Sequence, residues 1–238
     1  MKLQYIERAV KASLAGKPTA IATNLKSGDQ SLVEGNEITG NLQIDDLIRE
    51  GITRALSDDK STTLDTPAGP VFVEVFNPPL RCIVVGAVHI AQPLARMASQ
   101  LGYKVTVVDP RTAFNTDARF PELELSTEWP DEAMQRLRPD KRSAIITLTH
   151  DPKLDDPALA EALKSPAFYI GALGSRKTHG TRLRRLAELG FQQADLDRIH
   201  GPIGLNIGAI SPPEIAVAIL GQVTSVLRAD RLKGRDAA

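Results

Sequence analysis

A single cysteine, Cys82, in 238 residues rules out an internal disulfide framework and a cysteine-rich zinc site. Net charge is also missing. The 29 Lys and Arg are balanced by 29 Asp and Glu, so no bulk electrostatic attraction draws this chain to nucleic acid or to an acidic membrane surface. No run approaches the ~18 consecutive apolar residues of a membrane span. The amphipathic opening MKLQYIERAVKASLAG lacks the apolar core of a signal peptide. No pair of His, Asp or Glu has metal-ligand spacing on one helix, the P-loop spacing G-x-x-x-x-G-K-[ST] does not occur, and there is no internal repeat. What remains is a soluble, cytoplasmic globular protein, long enough for one large domain or for one medium and one small domain.

The stretch 81–109, RCIVVGAVHIAQPLARMASQLGYKVTVVD, organises the rest. Residues 82–85 form a short β-branched run suited to a strand buried on both faces, and Gly86 breaks it. Ile90, Leu94, Met97, Ala98 and Leu101 then fall on one helical face, and Gly102 is placed to end that helix. Residues 105–108 form a second apolar run ending at Asp109. A parallel βαβ unit with glycine at its first turn opens a Rossmann-type domain. The turn Gly86-Ala87-Val88-His89-Ile90-Ala91 departs from G-x-G-x-x-G/A at Val88, where a missing side chain would let backbone approach a pyrophosphate. Val88 adds bulk there, and Pro93 removes an amide proton from the helix start. The frame is that of a nucleotide fold, while NAD(P) is disfavoured as its ligand. Asp109 stands where a ribose-binding carboxylate would sit, and equally where a carboxylate would cap the loop.

Before this unit, periodicity at Leu3, Ile6, Val10 and Leu14 predicts an opening helix that ends at Gly16, then strands at 19–23, 30–34 and 36–40, a helix over 42–56, and paired strands at 61–65 and 71–76 around Pro67-Ala68-Gly69-Pro70. Asn77-Pro78-Pro79 is the clearest boundary. The expected architecture is α/β: a small α+β domain over 1–78, then a Rossmann-like, mainly parallel sheet flanked by helices over 79–238. After Asp109 we expect a short strand near 123–125, a helix over 131–138, a strand over 143–148, and a helix starting at Asp156-Pro157. A strand over 167–170 follows, then a basic helix capped by Ser175 and ended by Gly190, with Leu183, Leu186 and Ala187 facing inward, and a short helix over 194–200. The last helix is capped by Ser211-Pro212-Pro213-Glu214.

The predicted strands end at Gly86, Asp109, His150 and Gly171, and in an open parallel sheet such ends share the edge where ligands bind. Gly171-Ala172-Leu173-Gly174-Ser175-Arg176-Lys177 leads from strand into helix. Free amides, the positive end of the helix dipole and two cations there make an anion site. The alternative is a plain loop with solvated Arg and Lys. Arg182, Arg184 and Arg185 read as a solvated helix face, and His179 and His200 as structural. His89 and His150 are candidates for carrying protons or binding ligand. Cys82, within a predicted buried strand, reads as inert core.

The motifs Tyr169-Ile170-Gly171-Ala172-Leu173-Gly174-Ser175-Arg176-Lys177-Thr178 and IHGPIGLNIGAISPPE (199–214) are long and specific. With the Gly86 turn, Val107-Val108-Asp109-Pro110-Arg111 and Thr149-His150-Asp151-Pro152, they resemble the XdhC/CoxI family of accessory factors for molybdenum hydroxylases such as xanthine dehydrogenase. The resemblance covers about 80–228. It implies a Rossmann-like C-terminal domain that binds molybdenum cofactor and assists its sulfuration and insertion into an apo-hydroxylase. The positions it implies for cofactor binding are Gly86, His89, Asp109, Arg111, His150, Gly171, Gly174, Ser175, Arg176, Lys177, Gly204 and Gly208. The chain departs from the family pattern at Val88 and Asn206, and it lacks the family's N-terminal G-S-x-P-R and G-G-C-V-E motifs; the corresponding residues, 23–46, include no cysteine. The expected partners are an apo molybdenum hydroxylase, a cysteine desulfurase and a second copy of the chain as a homodimer, with no nucleic acid and no membrane. A cofactor-maturation factor without turnover of its own is favoured over an enzyme. The alternatives are an NAD(P)-binding oxidoreductase on the same fold and a degenerate scaffold that has lost its ligand.

Overall fold

Alternate side chains of one short strand serve two different helices, and the first part of the chain is built around it. In the computed structural model, which describes residues 2–229, the chain divides into two compact units, Met1–Pro79 and Leu80–Ala238. The first holds α1 (Leu3–Leu14), β1 (Thr19–Asn24), β2 (Gln30–Glu34), β3 (Glu37–Gly40), α2 (Asp46–Asp58), β4 (Thr62–Leu64) and β5 (Val71–Phe76). Its strands pair antiparallel in the order β3-β2-β1-β5-β4. Ile21 of β1 packs with Tyr5 and Ala9 of α1, while Ala20 and Ala22 pack with Ile48, Ile52 and Ala55 of α2. The period-2 alternation of a strand thus gives each face of the sheet its own helix. The helix expected over 42–56 begins only at Asp46: Ser31 Oγ donates to the carbonyl of Leu42, which holds that residue against the sheet, and Asp45 caps by accepting from the amide of Ile48.

The second unit runs β6 (Arg81–Val85), α3 (Ala91–Gln100), β7 (Lys104–Val108), β8 (Glu124–Ser126), α4 (Pro130–Leu137), β9 (Ser143–Thr147), α5 (Pro152–Lys164), β10 (Tyr169–Ala172), α6 (Arg176–Glu188), α7 (Gln193–Leu196), β11 (Ile199–His200) and α8 (Pro212–Leu227). The six strands form one parallel sheet in the order β11-β10-β9-β6-β7-β8. Cys82 and Val84 of β6 pack with residues of α3 and α8 on one face; Ile83 and Val85 pack with α4, α5 and α6 on the other. Burial on both faces is why these strands read as unbroken apolar runs. Among the described residues no helix is long and apolar enough to cross a membrane.

In the second unit two helix limits also differ from the sequence expectation. The helix expected from Asp156-Pro157 begins at Pro152. Asp151-Pro152 carries the same cap-and-proline signal five residues earlier, the Asp151 carboxylate accepts from the amide of Lys153, and Pro157 is absorbed inside the helix. The helix expected over 194–200 stops at Leu196, and Ile199–His200 instead extend the sheet beside β10. Ile199 is buried there, and a strand satisfies its backbone against β10 where a final helical turn would not.

Ile145, in the middle of β9, is fully buried. Ile145→Ala should lower the stability of the chain by about 2–5 kcal/mol in urea unfolding followed by circular dichroism. Leu101→Ala, at an exposed helix end, should change it by no more than about 0.5 kcal/mol.

Candidate functional site

All six strands of the second unit are parallel, so their carboxyl ends share one edge. From β6 the chain winds outward to β7 and β8, then returns to β9 on the other side of β6 and winds out to β10 and β11. The winding therefore reverses between β6 and β9, where open α/β sheets leave a crevice for ligands. The Gly86 turn leaves β6 there and Thr149-His150-Asp151 leaves β9. Gly86 sits at φ +106, and a Cβ on it would run into the methyl group of Thr149. Glycine is needed at this turn because the two loops touch across the crevice.

Asp109, at the end of β7, is buried. Its Oδ2 accepts from the amide of Ala87 (2.7 Å) and from Arg111 Nη2 (2.7 Å), and its Oδ1 accepts from Arg111 N and Nε (2.9 Å each). Four donors use the roughly four lone-pair sites of a carboxylate, which leaves none for a ribose. Of the two roles open from the sequence, the geometry gives Asp109 the one that fixes the loop. Burial pushes its carboxyl up, but the Arg111 hydrogen bonds, the Ala87 amide and the Arg111 charge outweigh burial and hold it below the ordinary carboxylate value. Arg111 is thereby committed to Asp109, and its guanidinium lies 4.9 Å from the centre of the Phe114 ring.

A second buried carboxylate organises the β9–α5 loop. Asp155 accepts from Thr149 N (3.3 Å), Thr149 Oγ1 (2.7 Å) and His150 N (3.1 Å), and so holds His150 in the left-handed region at φ +62. Arg182 of α6 reaches the same carboxylate only at 3.5 Å and donates to the carbonyl of Leu173 at 2.9 Å. The expectation of a solvated Arg182 is wrong: the residue is 1% exposed, and its Nε and Nη1 find no acceptor among the described residues. Arg182 lies one helical turn before Leu186, which the sequence places inside, so the 3.6-residue period could have revealed it. Arg185 pairs with Asp156, Nη2 to Oδ1 at 3.0 Å, and Arg184 is exposed as expected. Ala187, expected to face inward, is exposed.

Between this loop and α6 lies a cavity of about 260 Å³ lined by His150, Pro152, Asp155, Lys177, Thr178, Thr181, Arg182 and Arg185. Its walls carry three cations against one carboxylate. Two larger cavities, of about 520 and 530 Å³, lie in the first unit. One balances Lys17 and Arg49 against Glu34 and Glu37, and the other has Asp29 and Asp45 with no cation. A further cavity of about 260 Å³ sets Arg96 and Arg119 against Glu122, so the cavity beside α6 has the largest excess of cations over carboxylates of the four.

Of the residues expected to bind ligand, His150 and Lys177 line this cavity, and Gly174 lies beside it, with the position of a Cβ on it 3.8 Å from His150 Nδ1. Ser175 spends its hydroxyl on the amide of Thr178 as the cap of α6. Arg176 is exposed and outside the lining. Gly86, Asp109 and Arg111 form the neighbouring turn, and His89 is exposed at its far end. The other glycines are spaced by packing: Gly171 is pressed by Ile203 and Tyr169, and Gly204 by Ala218 and Ile219 of α8, while Gly208 is open. His200 stacks on Tyr169 at 4.8 Å between centroids and His179 packs on Gly201, as their structural reading requires.

Residues 82–223 match the family model described as the XdhC Rossmann domain. The chain is 32% identical over 160 residues to an uncharacterized Escherichia coli protein, YqeB, covering 66% of this chain and 29% of that one. It is 31% identical over 151 residues to the Escherichia coli molybdenum cofactor insertion chaperone PaoD (63% and 41%), and 30% identical over 154 residues to a probable xanthine dehydrogenase subunit of Bacillus subtilis (64% and 44%). The chain thus spans less than half the length of these relatives. A crystal structure described as a xanthine dehydrogenase from Bacillus halodurans shares the fold, with a TM-score of 0.75 at 23% identity over 97% of this chain and 68% of that one.

Two outcomes are expected from the turn. Asp109 has a folded pKa below its unfolded value of about 3.9, so it contributes stability that is present above that value and is lost as pH falls through the lower, folded one. Asp109→Asn should remove this acid-sensitive component and, by leaving buried donors without acceptors, lower stability at pH 7 by about 1–3 kcal/mol; urea midpoints between pH 7 and 3 measure both. NAD(H) and NADP(H) should bind weakly or not at all in calorimetric titration, because the turn has Val88 where the dinucleotide pattern has glycine and Asp109 has no oxygen left for a ribose. Saturable micromolar binding would contradict this.

Proposed function

The chain belongs to the XdhC family, and on that premise we propose that it is a cytoplasmic accessory protein that binds molybdenum cofactor and assists its insertion into a molybdenum hydroxylase of the xanthine dehydrogenase type. The observation that carries this reading is the 31% identity to a protein named as a molybdenum cofactor insertion chaperone. The Bacillus subtilis relative, named as a probable xanthine dehydrogenase subunit, supports the same class of client.

The sheet edge supports it physically. The cavity beside the β6–β9 crevice has a net cationic lining, which suits a phosphorylated cargo. At about 260 Å³ it is smaller than the roughly 300–1,000 Å³ of sites that enclose a drug-sized ligand, so it would take the charged end of a cofactor and not the whole. That arrangement suits a carrier, which must release what it holds. When bound, the cofactor would supply its redox chemistry to the client enzyme, and Lys177 and Arg182 would hold its anionic end.

Sulfuration calls for a group that carries sulfur. Cys82 is 1% exposed, and burial pushes its thiol up to about 12. A thiol that stays protonated inside the sheet is neither nucleophile nor sulfur carrier. We therefore assign the sulfur-carrying group to a partner, and a cysteine desulfurase is the partner of that chemistry.

The test is a xanthine-dehydrogenase-type hydroxylase produced with and without this chain. Without it, the enzyme should contain less molybdenum and less sulfurated cofactor, with activity reduced in proportion. A full cofactor complement in its absence would overturn the accessory role.

A further inference from the structure

We propose that the cavity between the β9–α5 loop and α6 is a phosphomonoester site, with Arg182 as the fixed charge at its base and Lys177 at its rim. The inference rests on the accessory reading only for the owner of the phosphate; the site itself is argued from its own residues.

Arg182 is the strongest observation. A guanidinium has five N–H donors, and burying it is unfavourable unless they are met. Here only Nη2 has acceptors, the Leu173 carbonyl at 2.9 Å and Asp155 at 3.5 Å. Nε and Nη1, which carry the other three donors, have none among the described residues. Asp155 is a poor counterion because its oxygens already serve Thr149 and His150 at 2.7–3.3 Å. The titration tendencies agree with this. Burial pushes the Asp155 carboxyl up, against the Thr149 hydroxyl and the Arg182 charge, and burial pulls the Arg182 guanidinium down, against Asp155 and Asp156. For each member burial outweighs the attraction of the other, and the 3.5 Å contact is long for a charge pair. An anion in the cavity would answer the buried charge of Arg182, whose Nε and Nη1 are themselves closed to solvent.

The rest of the cavity is arranged for that anion. Lys177, Thr181 and Arg185 stand four residues apart along α6, with Thr178 and Arg182 on the adjacent row, so one helical face presents cations and hydroxyls together. Lys177 is exposed and makes no ion pair among the described residues. Ser175 caps the amide of Thr178, while the amides of Arg176 and Lys177 belong to the first turn, which has no intrahelical acceptor and favours negative charge. Arg185 is already neutralised by Asp156, which leaves Lys177 and Arg182 as the charges that a phosphate would answer. A phosphomonoester carries nearly two negative charges at pH 7 and three acceptor oxygens, a closer match to two cations and the helix start than a carboxylate is.

The experiment titrates the full-length chain with glycerol phosphate and with inorganic phosphate, following affinity by calorimetry and the Arg Nε–H resonances by proton–nitrogen NMR. Saturable binding is expected, with one Arg Nε–H signal shifting on addition and absent from Arg182→Gln. Lys177→Ala should weaken binding about tenfold or more, the loss of one charged hydrogen bond; Arg182→Gln should weaken it further. Arg176→Ala and Arg184→Ala, both outside the lining, should leave it unchanged. Should Arg182→Gln fail to fold by circular dichroism, the Lys177→Ala and Arg176→Ala comparison and the wild-type NMR shift still decide. Weakening by Arg176→Ala with Lys177→Ala unaffected would put the anion at the loop mouth and overturn the proposal, as would the absence of saturable phosphate binding. Neither result touches the accessory function, which stands or falls on the cofactor content of the hydroxylase.

Discussion

One buried carboxylate holds the functional edge of the second unit together. Asp155 sits in the first turns of α5 and accepts from the Thr149 amide, the Thr149 hydroxyl and the His150 amide. These bonds shape the loop leaving β9, hold His150 in a left-handed conformation that a non-glycine residue adopts only under constraint, and keep the Thr149 methyl where only glycine fits opposite it. The same carboxylate is the nearest negative charge to Arg182. Removing one member of a buried pair is typically destabilising by about 3–5 kcal/mol, because the remaining charge has nothing to answer it. Loop shape, glycine turn and cationic cavity therefore depend on one group.

Asp109 plays the matching part on the other side of the crevice, tying the Gly86 turn to Arg111 through four hydrogen bonds. Both carboxylates at strand or loop ends are thus consumed in building the edge. A Rossmann sheet does not by itself imply a nicotinamide cofactor. Here the position that would read a ribose is filled by an internal ion pair, and the charge left over is positive and lies on α6. The same fold that suits dinucleotides in other chains carries in this one a cavity with a net cationic lining.

The arginines of α6 show how local a charge reading is. Arg182, Arg184 and Arg185 are nearly adjacent in sequence and look alike. In the structure one is buried and short of acceptors, one is solvent-exposed, and one is paired to Asp156. Which is which follows from rotation about the helix axis, about 100° per residue, and from what α5 places opposite.

The sequence by itself determined the parallel sheet. Apolar runs at 82–85, 105–108, 143–148 and 167–170, separated by helical periods and punctuated by Gly86, Gly102 and Gly190, have few other ways to bury two faces. Caps at Ser175 and Ser211 were legible because the hydrogen bonds they make reach only three residues along the chain. Where two local signals compete, as Asp151-Pro152 and Asp156-Pro157 do, local chemistry cannot choose, and Asp155 bonding to the loop chose. Ile199–His200 became a strand because β10 offered an open edge. The bond from Ala87 to Asp109 and the contact of Arg182 with Asp155 span 22 and 27 residues of chain. No pattern in one segment encodes such a meeting, since it exists only once β6, β7, β9 and α6 are set side by side.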